Sequence, residues 1–502
     1  MVSAANKNVQ SKYGSPQVAA TIKNVPIPFP TEGVIRSEAL NDTIAPENSV
    51  QLAVNMNFDR IGALQTRPGV ANLYAQRGGS ITSFGTLNTI TGGLNKLFSQ
   101  VGTDISVWTG SAWSTVRTTS VSTKARFAQF LGRVWMVNGH GGDAPLASNG
   151  STFAAYDVPA TFPKGDFISA GFDGRVWVAD ASTDALYYTD QIQFTPPTTY
   201  SITFQTNNFI EWLSPQDGES ITGLARIPKA LLVFKQNHIY RVYSASNADA
   251  YPAYNVGTYS QESIVQVKSG LYFHHSSGFY MFNYSAYNSQ PIEISRRVID
   301  FVKAIPRAMY PNIVGIYDGF DAIKWSVGPL TVEGVTYKNC QMRYSISTQV
   351  WTIYDYAANG VTAMIRFDDG TTIHQVVGTS TGLVGDLDSG TTDFGQPIFY
   401  EMIDRWRSYT EMYSNSKSIS GINVFHDNAA GADLEYQTQK SGPNDWTPID
   451  TFDDQFDSLM PNASTDDFEG MRFRISGHTT GTPVVVHGIE LLSVQIKGFE
   501  SN

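Results

Sequence analysis

The chain has 502 residues, with 34 lysines and arginines against 45 aspartates and glutamates, a net charge of −11. No basic block occurs along it, which excludes the wrapping of nucleic acid through clustered phosphate neutralisation. A single cysteine, Cys340, excludes an intrachain disulfide and any cysteine-built metal centre.

In chain order, residues 1–50 are polar and punctuated by Pro26, Pro28 and Pro30. Such a stretch buries little by itself and is expected to be an extended arm lying against a neighbouring subunit. It lacks the apolar core of a signal peptide, and apolar runs such as "ALLVF" at 230–234 are too short to cross a bilayer. The expectation is a soluble protein made in the cytoplasm, without a membrane partner.

From about residue 80 to 390 the sequence reads as short apolar or alternating strands separated by Gly, Asp, Asn and Ser. Gly (43), Phe (28), Tyr (25) and Trp (9) are abundant, while long helical runs of Leu, Ala, Glu and Lys are missing. One helix is predicted, over 296–308. The stretch "GRVWMV" at 132–137 returns as "GRVWVA" at 174–179, so Trp135 and Trp177 are 42 residues apart. That interval suits a repeated unit of one four-stranded sheet. About seven units of this kind fit the segment, which predicts an all-β chain with a β-propeller over 51–395. A six- or eight-bladed ring and a non-circular array of hairpins are the alternatives. A blade is apolar on both faces and stable only between neighbours; Trp135 and Trp177 are expected to pack between blades as structural wedges. Residues 396–502 carry "ISGINVFHD", "MRFRISG" and "PVVVHGIELLSVQIKG" around a polar loop at 451–468, and predict a C-terminal antiparallel β-sandwich.

The eight histidines show no metal-binding spacing, and the adjacent His274 and His275 point to opposite faces of one predicted strand. No nucleophile elbow or phosphate-binding loop is found. The carboxylate candidates Asp368, Asp369, Asp386, Asp388, Asp453 and Asp454 all sit in predicted turns, without the arginine cluster of a sialidase. These residues point to no catalytic, cofactor or metal site, and the chain is expected not to be an enzyme.

The stretch "NSVQLAVNMNFDRIGALQTRPGV" at 48–70 combines an Asn-rich strand (Asn55, Asn57), a turn at Gly62 and an Arg67-Pro68-Gly69 corner just ahead of the repeats. It resembles the corresponding segment of tailed-phage tail-hub proteins, the nozzle and packaged-DNA stabilisation proteins of short-tailed phages. The resemblance continues through "GLARIPKALLVFKQNHIYRVYS" and "YSISTQVWTIYDY". It implies a structural virion protein, assembled in the host cytoplasm into a homohexameric ring under the portal-adaptor. Such a ring extends the DNA channel without binding DNA specifically, helps retain the genome, and carries tail fibres or a needle. Asn55, Gly62, Arg67, Pro68 and Gly69 match its motif, with Arg67 expected to tie the arm to the first blade. The alternatives are a host-glycan-binding tail protein, with Trp406 or Trp446 stacking sugars, and a tail-borne glycan hydrolase.

Overall fold

The computed structural model describes residues 21–22, 25–28, 30–36, 46–59, 63–89, 95–155, 158–195, 199–210, 217–248, 253–268, 270–284, 290–356, 359–407, 417–438, 441, 445–452, 456–459, 468, 470–479, 481–492 and 494–496. Gly62, Asp453 and Asp454 lie outside them.

The described chain is almost entirely β and propeller-like. Ile81–Leu87, Lys96–Val101, Asp104–Trp108 and Trp113–Thr118 form a first antiparallel sheet. Arg126–Phe130, Arg133–Val137, Leu146–Ser148 and Phe153–Ala154 form the second, and Phe167–Ala170, Val176–Asp180, Ala185–Tyr188 and Phe209–Ile210 the third. The fourth is Gly223–Ile227, Ala230–Phe234, Ile239–Ser244 and Asn247–Ala248; the fifth is Val265–Val267, Gly270–His275, Gly278–Phe282 and Ile292–Glu293. Val314–Tyr317, Ala322–Val332, Val335–Ser345 and Trp351–Asp355 open a nine-stranded sheet. The last repeat, Val361–Asp368, Ile373–Thr379 and Val384–Leu387, takes its fourth strand from far upstream, Val70–Tyr74, with Val70 opposite Leu387.

Tight turns make these meanders possible. Leu131 and Gly132 both take positive φ (49° and 70°), as do Asp173 and Gly174 (51° and 62°), the geometry that suits the twist of a hairpin. Apolar side chains on the two faces of each sheet then meet those of its neighbours. Phe98, Ile105, Val134 and Met136 join the first and second sheets; Trp135, Val137, Ile168 and Val178 the second and third. Trp177, Leu186, Leu231 and Val233 join the third and fourth, and Leu232, Phe234, Leu271 and Phe273 the fourth and fifth. Ile81, Phe84, Phe367 and Val376 bring the last sheet back onto the first. First strands also pack on one another from sheet to sheet, the fourth and fifth sheets meeting through the core just named, and Val361–Asp368 returns to Ile81–Leu87, so the sheets form a closed ring.

Beyond the ring, the nine-stranded sheet continues from Trp351–Asp355 through Val50–Val54, Phe399–Asp404, Met471–His478, Asp433–Thr438 and Thr447–Thr451. A second sheet contains Met56–Asn57, Leu64–Thr66, Val485–Leu492, Gly421–Asp427 and Phe456–Leu459. Leu52, Met402, Phe473, Ile422, Val424 and Leu491 from the two sheets share one core. Val50–Val54 therefore joins a ring strand to the C-terminal strand Phe399–Asp404, and Met56–Asn57 and Leu64–Thr66 lie in the second C-terminal sheet, whereas the sequence reading places them all in the ring. Val50–Val54 is buried at four of its five positions, and only a partner on either side satisfies such a strand.

The N-terminal arm also differs from expectation in its described part. Val25–Pro26 pairs with Val485–Leu492, Ile27 donates its amide to Ile489 (2.9 Å), and Arg297 binds Glu32 at 2.9 Å. The edge of Val485–Leu492 in the same chain offers the arm its backbone partners, so residues 25–28 and 30–36 pack on their own chain. The predicted helix is broken into 3-10 turns at Arg296–Val298 and Arg307–Asn312 flanking Ile299–Ala304. Pro306 forces Ile305 into extended backbone (ψ 118°) and stops it.

Candidate functional site

Asn55, Arg67, Pro68 and Gly69 of the 48–70 motif converge on the point where the chain passes between the C-terminal sheets and the ring. Asn55 follows Val50–Val54 with a positive φ of 57°, a conformation Asn tolerates better than most residues. Its carboxamide nitrogen donates to the carbonyls of Phe399 (2.7 Å) and Asp355 (3.2 Å). Its oxygen accepts from the Asp355 amide (2.9 Å) and from Arg67 Nε (2.8 Å). One side chain thus fastens three strand ends.

Arg67 is fully buried and reaches Asp393 with two nitrogens, Nη1 to Oδ1 at 2.8 Å and Nη2 to Oδ2 at 2.6 Å. This two-point pairing matches the planar guanidinium to the carboxylate. Nη1 also donates to the Pro68 carbonyl (3.0 Å), and the guanidinium lies 4.1 Å from the centre of the Tyr356 ring. Burial works against the charge; Tyr356 and Asp393 outweigh it, and the guanidinium is held above its ordinary pKa. Gly69 is required by proximity, because a Cβ there would lie 2.1 Å from the Thr392 carbonyl oxygen.

The expected tie between Arg67 and the first ring sheet is corrected: Arg67 binds where the last sheet leaves the ring. The reason is that Val70–Tyr74, which follows Arg67, completes the last sheet and does not begin the first. Beside this knot, Arg343 binds Asp59 at 2.8 Å, Tyr354 donates to Asn57, and Lys324 pairs with Asp388. Burial raises the cost of the Asp388 charge, and Lys324 more than compensates, holding the carboxyl below its usual range. Each of these side chains has at least one polar partner, which suits the constellation to fixing geometry.

A second ionic contact spans the ring itself. Arg126, at the start of the second sheet, meets Glu262, just ahead of the fifth, with Nε 3.0 Å from Oε1. Lys124 lies 3.7 Å from the other carboxylate oxygen. The contact passes the third and fourth sheets and crosses the middle of the ring.

Trp135 and Trp177 occupy matching second strands. Trp135 lies between Ala128 and Ala147 in its sheet, and Trp177 between Ser169 and Tyr188. Both are fully buried, in the clusters joining the second to the third sheet and the third to the fourth. Asp386 accepts from the His374 ring (2.7 Å), and Asp369 caps the amides of Thr371 and Thr372 (2.7 and 2.8 Å). Trp406 and Trp446 are half-buried, with the Arg472 guanidinium 4.7 and 5.1 Å from their ring centres. Sequence reading missed Asp393, Arg126 and Glu262 as site residues and quoted Tyr356 only as the end of a resembling stretch; a buried Arg67 is the one signal that demands a distant carboxylate.

No family model and no curated protein matches the chain. Among solved structures it is similar to an extracellular domain of a putative hybrid two-component system from B. thetaiotaomicron, at 13% identity and a TM-score of 0.42, covering 67% of this chain and 44% of that one. A second such domain from the same organism aligns at 8% identity and a TM-score of 0.43, covering 85% and 62%. PorZ, a surface component of the type-IX secretion system of Porphyromonas gingivalis, aligns at 9% identity and a TM-score of 0.33, covering 76% and 57%. The alignments span less than two thirds of each of these chains.

Proposed function

We propose that the chain is a seven-bladed β-propeller carrying a C-terminal β-sandwich, and that it serves as a structural tail-nozzle protein of a short-tailed phage. In this role it forms a homohexameric ring below the portal-adaptor, extends the DNA channel, and carries fibres or a needle. The observation that carries the reading is the Asn55–Arg67–Asp393 knot. Asn55 and Arg67, which match the nozzle family's motif, tie the ring to the C-terminal sheets. A protein that must hold pressurised DNA and transmit load from fibres to head has to resist hinging between its modules.

Two further features support it. The net charge of −11 disfavours adhesion of a passing polyanion. The Arg126–Glu262 contact across each propeller leaves the DNA channel to be formed between protomers, around the six-fold axis. Electron microscopy of the purified chain is the test: a six-fold ring with an axial channel is expected, and a monomer or a trimer without a channel overturns the reading.

A further inference from the structure

Asp166 stands immediately before Phe167–Ala170, and Asp180 ends Val176–Asp180. Phe167 is paired with Ala179, and the Asp166 amide donates to the Ala179 carbonyl at 2.7 Å, which holds the Asp166 carboxylate within 4.8 Å of that of Asp180. Like charges this close on neighbouring strands repel. A cation between or beside the two carboxylates would offset that repulsion, and the adjacent loop brings His140 to them.

That loop is built to hold one geometry. The Asn138 carboxamide accepts from the Asp143 amide (2.8 Å) and donates to its carboxylate (3.1 Å). Gly139, at a φ of 96°, donates its amide to the Gly165 carbonyl at 3.1 Å. Gly142 fits so closely that a Cβ would lie 2.4 Å from the Asn138 side-chain oxygen. The result places His140 Nδ1 3.1 Å from both oxygens of Asp166. Asp166 is oriented by the Ala181 amide (2.9 Å), and Asp180 by the amide and hydroxyl of Ser182 (2.8 and 2.6 Å). One ligand atom from each of His140, Asp166 and Asp180 lies within 4.8 Å of the others.

We propose that these three side chains bind a divalent transition cation, Zn²⁺ in the first instance, which clamps the loop of the second sheet to the third sheet. One imidazole and two carboxylates are a ligand set for Zn²⁺, with the remaining position filled by water. Ca²⁺ prefers six to eight oxygen ligands and is disfavoured by the imidazole. Ligand distances of about 2.1 Å require the three groups to close by roughly 1 Å, and the half-exposed His140 ring has room to move. The site does not depend on the tail reading.

The test is isothermal titration of the full chain, stripped with a chelator, using ZnCl₂ and CaCl₂ separately, alongside thermal melting. Wild type is expected to bind one Zn²⁺ more tightly than Ca²⁺ and to melt higher with Zn²⁺ present. His140→Ala and Asp180→Asn are expected to lose that binding by at least roughly tenfold, with the melting temperature of the stripped protein preserved. His374→Ala, which removes another His–Asp cluster, should leave it intact. Absence of Zn²⁺ binding in wild type, tighter binding of Ca²⁺, or unchanged binding in both site variants overturns the proposal. If a variant fails to fold, the wild-type isotherm and its melting shift still decide.

Discussion

Arg126 and Glu262 are 136 residues apart and belong to sheets separated by two others, yet their side chains meet at 3.0 Å across the middle of the ring. Burial opposes the Glu262 charge, and Arg126 and Lys124 overcome it, depressing the carboxyl to about 2 from an ordinary 4.5. A folded pKa below the unfolded value contributes stability that is present above pH 4.5 and lost as pH falls toward 2. The contribution is on the order of 3 kcal/mol. Glu262→Gln removes the titration and is expected to lower stability at pH 7 while flattening the acid limb between pH 4.5 and 2. Chemical denaturation across that range measures it; an acid limb identical to wild type contradicts the assignment.

Arg67 and Asp393 form the second long-range pair, buried on both sides. Removing one partner leaves an uncompensated charge, a loss of about 3–5 kcal/mol. Arg67→Ala and Asp393→Asn should each show a loss of that size in denaturant unfolding, and the double variant should lose less than their sum. Arg67→Lys should rescue poorly, since an ammonium lacks the two-point geometry and the planar stacking on Tyr356. Full additivity in the double variant counts against a direct coupling.

The contrast between these pairs and the Trp repeat explains what the sequence made legible. "GRVW" is readable because strand period and turn chemistry are local, and Gly132 and Gly174 stand where the hairpins need positive φ. The position of Val70–Tyr74 is not readable in the same way: a five-residue strand looks alike whichever sheet it completes. The pairing of Val50–Val54, Met56–Asn57 and Leu64–Thr66 with C-terminal strands has the same origin, because strand propensity does not encode partner choice. Asn55, Arg67 and Gly69 stood out as a motif, but Asp393, 326 residues downstream of Arg67, became visible only when the ring closed. The His140, Asp166 and Asp180 grouping likewise depends on strand register and not on spacing.

Two histidines should titrate in opposite directions. His274 is buried against Phe279 and Tyr310, and burial, with His275 adding to it, lowers its pKa to about 3. Its neutral form belongs to the fold, so the associated stability is lost as pH falls from 6.5 toward 3. Burial also disfavours the charged form of His374, but Asp386 and Asp369 on its two ring nitrogens raise its pKa above 6.5. Its contribution is present below pH 6.5 and lost as pH rises through the raised value. NMR of histidine-labelled protein should show one imidazole still neutral at pH 5 and another still protonated above pH 6.5. His274→Phe and His374→Ala assign them by loss of the corresponding signals.

Trp135 and Trp177 share a sequence context and full burial, but differ at the indole nitrogen. Trp177 Nε1 donates to the Phe172 carbonyl at 3.1 Å, whereas Trp135 Nε1 has no hydrogen-bond partner among the described residues. Replacement of either by Ala opens a cavity between sheets and should cost about 3–5 kcal/mol. Replacement by Phe separates the two. Trp177→Phe loses packing and leaves a buried carbonyl without its donor, adding about 1–3 kcal/mol to the cavity cost. Trp135→Phe loses packing but also removes an unpaired buried N–H, which offsets part of the cavity cost. Urea unfolding should therefore rank Trp177→Phe as clearly the more damaging, and equal losses at the two sites would show that the nitrogen environments are not as described.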